Sequence, residues 1–264
     1  MNFYYFIAII LFIIITILIQ FNKSYEGFEE KYLNGIDIIY WINLDRSPDR
    51  KISMEKMFTD DAFQRIPNVR FSAIDGKNPD NIDKLLITKN TNQTNSEYGC
   101  LLSHLETIRQ FNNSSYNIAL IMEDDATLEF KKYWKTSVKD IIKNAPADWE
   151  IINLCYIIDT NHPYYNWNKE NNYSDIPTWS TLSYLINKKG SKKIIDSTYK
   201  NNKYVLDSNY IHTADDYIYN YLITYTYKYP MFIYKTENES MIHDSHLELH
   251  KINKEHIIEQ YDLL

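Results

Sequence analysis

Three consecutive carboxylates, Glu123-Asp124-Asp125, directly follow the apolar run Ile118-Ala119-Leu120-Ile121-Met122. A run of this length and composition predicts a buried strand. In open α/β sheets ligands collect at the carboxyl ends of strands, so the triplet stands where a site is expected. If extended backbone continues through it, the i, i+2 alternation aims Glu123 and Asp125 the same way. Both then grip one hard divalent cation, Mg²⁺ or Mn²⁺, of the kind held jointly with substrate phosphates. A solvated acidic turn is the plain alternative for an isolated triplet. A second acidic pair, Asp215-Asp216, opens a helical stretch, where carboxylates either favour the helix N-terminus or act as a general base. Ser103 and His104 sit within the helical periodicity of Leu101, Leu102, Leu105, Ile108 and Phe111. There is no Ser-His-Asp pattern around them, so nucleophilic hydrolysis is not indicated, and a packed helical histidine and a ligand contact both fit. Gly99 permits close backbone approach at that helix's start. Cys100 reads as core.

Elements that position these groups alternate between strand-like apolar runs and amphipathic stretches, the pattern of an α/β domain. Strands are expected at 36–42, 69–74, 118–122, 151–158, 182–186 and 231–234. Helices are expected from Pro48 to about Phe58, from a cap at Asn95 or Ser96 through Phe111, over Trp134–Ile142, and near 188–199 and 214–222. Ser47-Pro48-Asp49 supplies a capping residue, a proline at N1 and an acidic first turn. Asp75-Gly76 reads as a turn, and the Asn-rich segment 161–175 as a loop. Tyr164, Tyr165, Trp167, Tyr173 and Trp179 fall in or beside that loop, as a sugar-stacking surface or a partly buried flap.

The 264 residues carry a net charge of −7, with 44% hydrophobic and 15% aromatic side chains. The negative balance excludes a phosphate-neutralising nucleic-acid partner, and the aromatic content supplies a substantial core. Mean hydropathy is −0.46, although Phe3 to Phe21 is continuously apolar. Removing that block leaves a remainder averaging roughly −0.7, ordinary for a soluble domain, and rules out a multi-span protein. About 20 apolar residues suffice to cross a bilayer, with neither a basic start nor an Ala-x-Ala site to suggest a cleaved signal. The expected organisation is a transmembrane signal-anchor at 1–21, a stem at 22–35 and one domain at 36–264. N-x-[ST] sequons at Asn22, Asn92, Asn112, Asn113, Asn172 and Asn238 suit a lumenal, type II arrangement. Two cysteines, Cys100 and Cys155, do not make a disulfide scaffold.

Several blocks together resemble glycosyltransferase family 25, which includes lipooligosaccharide and procollagen galactosyltransferases. They are Ile42-Asn43-Leu44-Asp45-Arg46 with Asp49-Arg50, Ala73-Ile74-Asp75-Gly76, and Glu97-Tyr98-Gly99-Cys100-Leu101-Leu102-Ser103-His104. Glu123-Asp124-Asp125, Tyr184-Leu185-Ile186 with Gly190, and Ala214-Asp215 continue them in the family's order. Ser180-Thr181 departs from the small residue usual before the Tyr184 block, and Thr213 replaces a proline. The resemblance implies a GT-A fold, a Rossmann-like mixed sheet flanked by helices, with a UDP-sugar donor, a divalent cation and inverting transfer. Glu123 and Asp125 would then hold Mn²⁺ or Mg²⁺, joined by His243, whose neighbour Asp244 and partner His246 also offer ligand atoms. Donor contacts would fall to Asn43, Asp45, Arg46, Arg50, Gly99, Ser103, His104 and Asp124. Asp215 or Asp216 would be the base that takes the acceptor's proton.

The expected function is a membrane-anchored hexosyltransferase, with galactose the leading sugar. Its acceptor is a glycan or protein hydroxyl, either hydroxylysine-like or on a sugar. The alternative is a catalytically inactive relative acting as a tethered glycan- or protein-binding module. A metal-dependent phosphodiesterase is a weaker third option, since it would want more histidines near the carboxylates.

Overall fold

The structure is a computed structural model that describes residues 10–17, 32–89, 92–157, 172–175, 178–235 and 247–262. Strand β1, Ile38–Asn43, is buried at every position. Parallel to it on either side run β2, Asn68–Ser72, and β3, Ile118–Glu123. The two faces of β1 enter different cores, as a period of two requires. Ile38, Tyr40 and Ile42 join one core, and Ile39 and Trp41 the other. Ala119 and Ile121 divide from Leu120 and Met122 in the same way along β3, which is why these strands read as unbroken apolar runs.

Helix α1, Pro48–Met57, follows β1 with proline at its first position, although Ser47 makes no side-chain cap bond. The short α2, Pro79–Asp83, leads toward α3, Asn95–Asn112. The cap of α3 is Thr94 rather than the expected Asn95 or Ser96. Thr94 accepts from the Glu97 amide, and Glu97 reaches back to the Thr94 amide at 2.6 Å. That reciprocal box satisfies two orphan donors, which a lone Asn or Ser at the next position does not do.

Beyond β3 comes β4, Ala126–Thr127, then a 3₁₀ turn over Glu129–Tyr133 that Trp134 terminates. Helix α4 is confined to Val138–Asn144, because Ser137 caps it by accepting from the Asp140 amide. The expected helix from Trp134 therefore starts four residues late. Strand β5, Ile151–Asn153, is shorter than the 151–158 expected. The Asn153 side chain accepts from the Cys155 amide at 3.1 Å and turns the chain out of the ladder.

The sheet is completed by β6, Tyr173–Ser174, and β7, Ser183–Asn187. Helix α5, Lys188–Thr198, is capped by Asn187, and the small hairpin β8–β9 covers Tyr199–Lys200 and Lys203–Tyr204. Helix α6, Ala214–Tyr221, precedes β10, Thr224–Tyr227, β11, Ile233–Tyr234, and α7, Leu247–Asp262. Strand order is β2-β1-β3-β7-β5-β10-β6, with β7 and β6 antiparallel to their neighbours. This is the mixed α/β sheet expected. Leu101, Leu105, Ile108, Ile194 and Tyr217 fill one side of it; Phe63, Phe130, Trp134, Phe232 and Tyr261 fill the other.

Of the apolar N-terminal run, residues 10–17 are described and helical, with exposed side chains. Eight residues rise only about 12 Å, against roughly 30 Å of hydrocarbon. Among the described residues no helix is long and apolar enough to cross a membrane, and the rest of the run lies outside them. The end of the expected stem belongs to the folded body. Leu33 is buried in the core, and the Tyr32 carbonyl accepts from the Val138 amide.

Candidate active site

Asn43 ends β1 and Asp124 follows β3, and the parallel pairing of these strands brings the two side by side. The Asn43 amide donates to Asp124 Oδ2 at 2.6 Å, while its Oδ1 accepts from Arg70 Nε at 2.8 Å. Arg50, on the first turn of α1, donates to Asp124 Oδ1 at 2.8 Å and lies 3.7 Å from Asp125 Oδ2. Asp124 is thus held from two sides and buried. That grip explains a departure from expectation. Strand β3 stops at Glu123, and Asp124-Asp125 form a turn into β4, so strand alternation does not aim Glu123 and Asp125 together.

Glu123 accepts from Thr181 Oγ1 at 2.6 Å and lies 3.3 Å from His104 Nε2. His104 is fully buried on α3, and its Nδ1 meets the Tyr184 hydroxyl at 3.0 Å. Asp125 is less well provided. Its Oδ1 is buried with no hydrogen-bond partner among the described residues. Burial and the Glu123 charge push the Asp125 carboxyl up to about 7, against the pull of Arg50. Burial acts on Glu123 in the same direction, but the His104 and Thr181 hydrogen bonds and Arg50 overcome it and leave that carboxyl below its usual range. Arg50 is held firmly charged: burial opposes the charge, and Asp125, Asp124 and Glu123 outweigh it.

Beside the carboxylates opens a cleft of about 640 Å³, lined by residues that include Arg46, Arg50, Ile74, Ser103, His104 and Glu123. Its wall depends on glycine. A Cβ on Gly99 would come within 2.6 Å of the Ile74 carbonyl, and one on Gly76 within 2.2 Å of the Asn95 carbonyl. Backbone here packs on backbone, as expected for Gly99. Ser103 Oγ fastens the contact, donating to the Gly99 carbonyl at 2.6 Å and accepting from the Ile74 amide at 2.8 Å. Arg46 pairs with Asp75 at 2.8 Å on the same rim.

Asp45 is not among the residues that line the cleft. It accepts from Arg70 at 2.6 Å and Ser72 at 2.7 Å, and these hydrogen bonds hold its carboxyl low. Cys100 lines the cleft half-buried. Burial, followed by the charges of Glu123, Asp215 and Asp125, pushes its thiol well up, so it is no ready nucleophile.

Asp215 and Asp216 open α6. Asp215 Oδ2 accepts from the Ser180 amide at 3.0 Å, and its Oδ1 from the Asp216 amide at 3.0 Å. Thr213 Oγ1 donates to Asp216 Oδ2 at 2.8 Å. Burial, with Asp215's charge adding, raises the Asp216 carboxyl. Ser180 and Thr181 are adjacent, so one dipeptide holds both Asp215 and Glu123. The structure therefore brings together Glu123, Asp124, Asp125, Asn43, Arg50, Ser103, His104 and, through this link, Asp215. His243 lies outside the described residues.

Sequence reasoning gave no site role to Thr181, Tyr184 or Arg70, although the first two stand in or beside a family block. For Tyr184 a signal existed, since a tyrosine on a buried strand needs a partner for its hydroxyl. Thr181 and Arg70 carried none, because their partners are distant in sequence.

A family model described as glycosyltransferase family 25 (LPS biosynthesis protein) matches residues 36–218. A Drosophila melanogaster protein named glycosyltransferase 25 family member is 28% identical over 149 residues, 51% of this chain and 23% of that relative. One of the same name from Drosophila pseudoobscura pseudoobscura is 29% identical over 127 residues, 44% of this chain and 20% of the relative. The match thus spans less than a quarter of those relatives' length. Among solved structures, an active-site mutant of LgtC overlaps 58% of this chain and 57% of its own, at 11% identity and a TM-score of 0.32. The family match runs from β1 into α6 and takes in each candidate residue from Asn43 to Asp216; on that match, the chain belongs to glycosyltransferase family 25.

Proposed function

We propose that the chain transfers a hexose, with galactose the leading candidate, from a UDP-sugar to an acceptor hydroxyl with inversion, on a GT-A-type sheet. The observation that carries this reading is the buried, unpartnered Oδ1 of Asp125, in the turn after Glu123 and Asp124, both of which line the cleft. A buried carboxylate oxygen with nothing opposite it is costly unless a ligand completes it. Burial, with the Glu123 charge adding to it, pushes Asp125 up to about 7, and these two carboxylates form a hard-oxygen set that suits Mg²⁺ or Mn²⁺. Asp125 and Glu123 are the residues that would hold it, and a cation bound there supplies Lewis-acid neutralisation of a departing diphosphate.

The remaining work falls to the chain's own groups. Apolar Ile42, Leu44 and Ile74 with Arg46 and Ser96 line a cleft suited to a flat base and its ribose hydroxyls. Asp124 fixes Arg50 and Asn43, so a guanidinium stands ready beside the carboxylates for phosphate oxygens. Asp215, oriented by two backbone N–H donors, or its neighbour Asp216, accepts the proton of the acceptor hydroxyl. The acceptor is a glycan or protein hydroxyl, and the apolar run at 3–21 tethers the chain to a membrane with this domain lumenal.

Titration of the purified chain with UDP-hexoses, with and without Mn²⁺, tests the reading. Cation-dependent consumption of UDP-galactose and a product of inverted anomeric configuration are expected. Absence of any UDP binding would leave a family member that acts as a binding module.

A further inference from the structure

Cys100 and His104 stand four positions apart on α3 and so present their side chains on one face of the helix, one above the other. Glu123, at the end of β3, closes the triangle. One ligand atom from each of the three lies within 4.8 Å of the others. We infer that Cys100 Sγ, His104 Nε2 and a Glu123 oxygen form a second cation site, selective for a thiophilic ion such as Zn²⁺ and distinct from the hard-cation pair Glu123-Asp125.

Ligand chemistry makes the distinction. A sulfur, an imidazole nitrogen and one carboxylate are a soft-to-borderline set that favours Zn²⁺ over Mg²⁺ or Mn²⁺. Three protein ligands with a fourth position open is the arrangement of zinc sites that exchange water or substrate. Zinc bonds of about 2.0 to 2.3 Å put tetrahedral ligand atoms roughly 3.5 Å apart, so closure requires side-chain shifts of about 1 Å. The outer shell is already in place. His104 Nε2 lies 3.3 Å from Glu123 Oε1, a hydrogen bond that an ion between them would replace, and Nδ1, 3.0 Å from the Tyr184 hydroxyl, can then carry the ring proton; Thr181 donates to Glu123 at 2.6 Å. All three ligands line the cleft, which provides the entry path. Burial is the main obstacle to a free thiolate at Cys100, and the charges of Glu123, Asp215 and Asp125 add to it; those same charges favour a dication in that place, and coordination deprotonates a thiol outright.

Sharing Glu123 couples the two sites. An ion on Cys100 and His104 draws Glu123 away from Asp125, so Zn²⁺ and Mn²⁺ compete for that carboxylate. This site needs no sugar donor, and its test is independent of turnover.

Titrating the purified full chain with Co²⁺ under reducing, anaerobic conditions should produce a sulfur-to-cobalt charge-transfer band in the near ultraviolet, with visible bands of tetrahedral strength. Zn²⁺ should abolish them at one equivalent, while Mn²⁺ should do so only in large excess. Cys100→Ser should remove the charge-transfer band, whereas Cys155→Ser, altering the buried thiol in the opposite core, within reach of the Glu123 and Asp125 charges, should retain it. If Cys100→Ser fails to fold, alkylation of the unaltered chain decides the matter: Zn²⁺ should slow modification of Cys100 by roughly tenfold or more, since the coordinated thiolate is withheld from reaction. No charge-transfer band, a band that survives Cys100→Ser, or unprotected Cys100 in the presence of Zn²⁺ would each overturn the site.

Discussion

Asp125 and Asp215 are two carboxylates whose surroundings set them different tasks. Asp125 has 25% of its side chain exposed, yet its Oδ1 is buried without a hydrogen-bond partner among the described residues, and Glu123 repels it. An anion so placed weakens the fold until a cation balances it, and it then supplies most of the cation's affinity. Asp125→Asn should therefore have opposite effects on stability and activity. Mn²⁺-dependent transfer should fall at least about 100-fold, while the metal-free chain should gain roughly 1 kcal/mol, a rise in Tm of about 2–4 °C. Thermal melts in chelator together with turnover assays measure both, and a variant that loses activity by losing stability contradicts the assignment. Asp215 by contrast accepts two backbone N–H bonds, which orient it without neutralising it. Asp215→Asn keeps the shape and removes the base. It should lower kcat about 100-fold or more and leave the UDP-sugar Kd within about twofold, with stopped-flow and calorimetry as the paired readouts.

At the level of elements, α3 carries Gly99, Cys100, Ser103 and His104 into the cleft, so its first turn matters to the site. Thr94→Ala removes half of the capping box and should cost about 1 kcal/mol; because the frayed turn is the cleft wall, the donor KM should rise with it. Glu150 has a comparable role at the junction of β5, α5 and β10. It accepts from the Ile223 amide at 2.9 Å and pairs with Lys193 at 2.8 Å and Lys189 at 3.3 Å. Burial acts to raise its carboxyl, and these bonds outweigh it and leave the carboxyl low. A depressed carboxyl contributes stability that is present above its unfolded value and lost as pH falls through the folded one. Glu150→Gln should thus destabilise by roughly 1–2 kcal/mol at pH 7, and the gap from the parent should close as denaturant melts are moved toward pH 3. These elements were legible to different degrees. Strands β1, β3 and β7 announced themselves as aliphatic runs, and the leucine spacing of α3 left little choice. Strand β10, Thr-Tyr-Thr-Tyr, has no aliphatic residue and was passed over. Helix α7 was missed because it buries Asn253 and exposes Ile252, which erases the apolar stripe by which a helix is recognised. The acidic triplet was evident in the sequence, but its geometry was not: the turn at Asp124 is imposed by Asn43 and Arg50, some 80 and 74 positions away.

Across the whole molecule, the segment matched by the family model leaves part of the sheet and of the core outside it. The family match ends at residue 218, yet β10 follows it and lies inside the sheet between β5 and β6. Strand β11 pairs with β4 directly after the acidic triplet, and the Lys235 amide donates to the Asp125 carbonyl at 3.0 Å. Helix α7 then locks that return strand. Asn253 donates to the Tyr156 carbonyl at 2.9 Å and to the Tyr234 hydroxyl at 3.0 Å, and Tyr261 donates to the Pro230 carbonyl at 2.6 Å. A chain ending at residue 218 would leave β5 with an open edge and one core without Phe232 and Tyr261, conditions that favour aggregation over folding. The milder change is Ile257→Ala, at a fully buried position on α7. It should cost about 2–5 kcal/mol and, by loosening the strand that frames Asp125, weaken Mn²⁺ binding at temperatures where the chain is still folded. Differential scanning calorimetry and Mn²⁺ titration at 15 °C separate the two effects. If a chain ending at 218 unfolds cooperatively and binds UDP with unchanged affinity, the C-terminal segment is an accessory; if both properties are lost, the acidic triplet depends for its shape on residues beyond the family match.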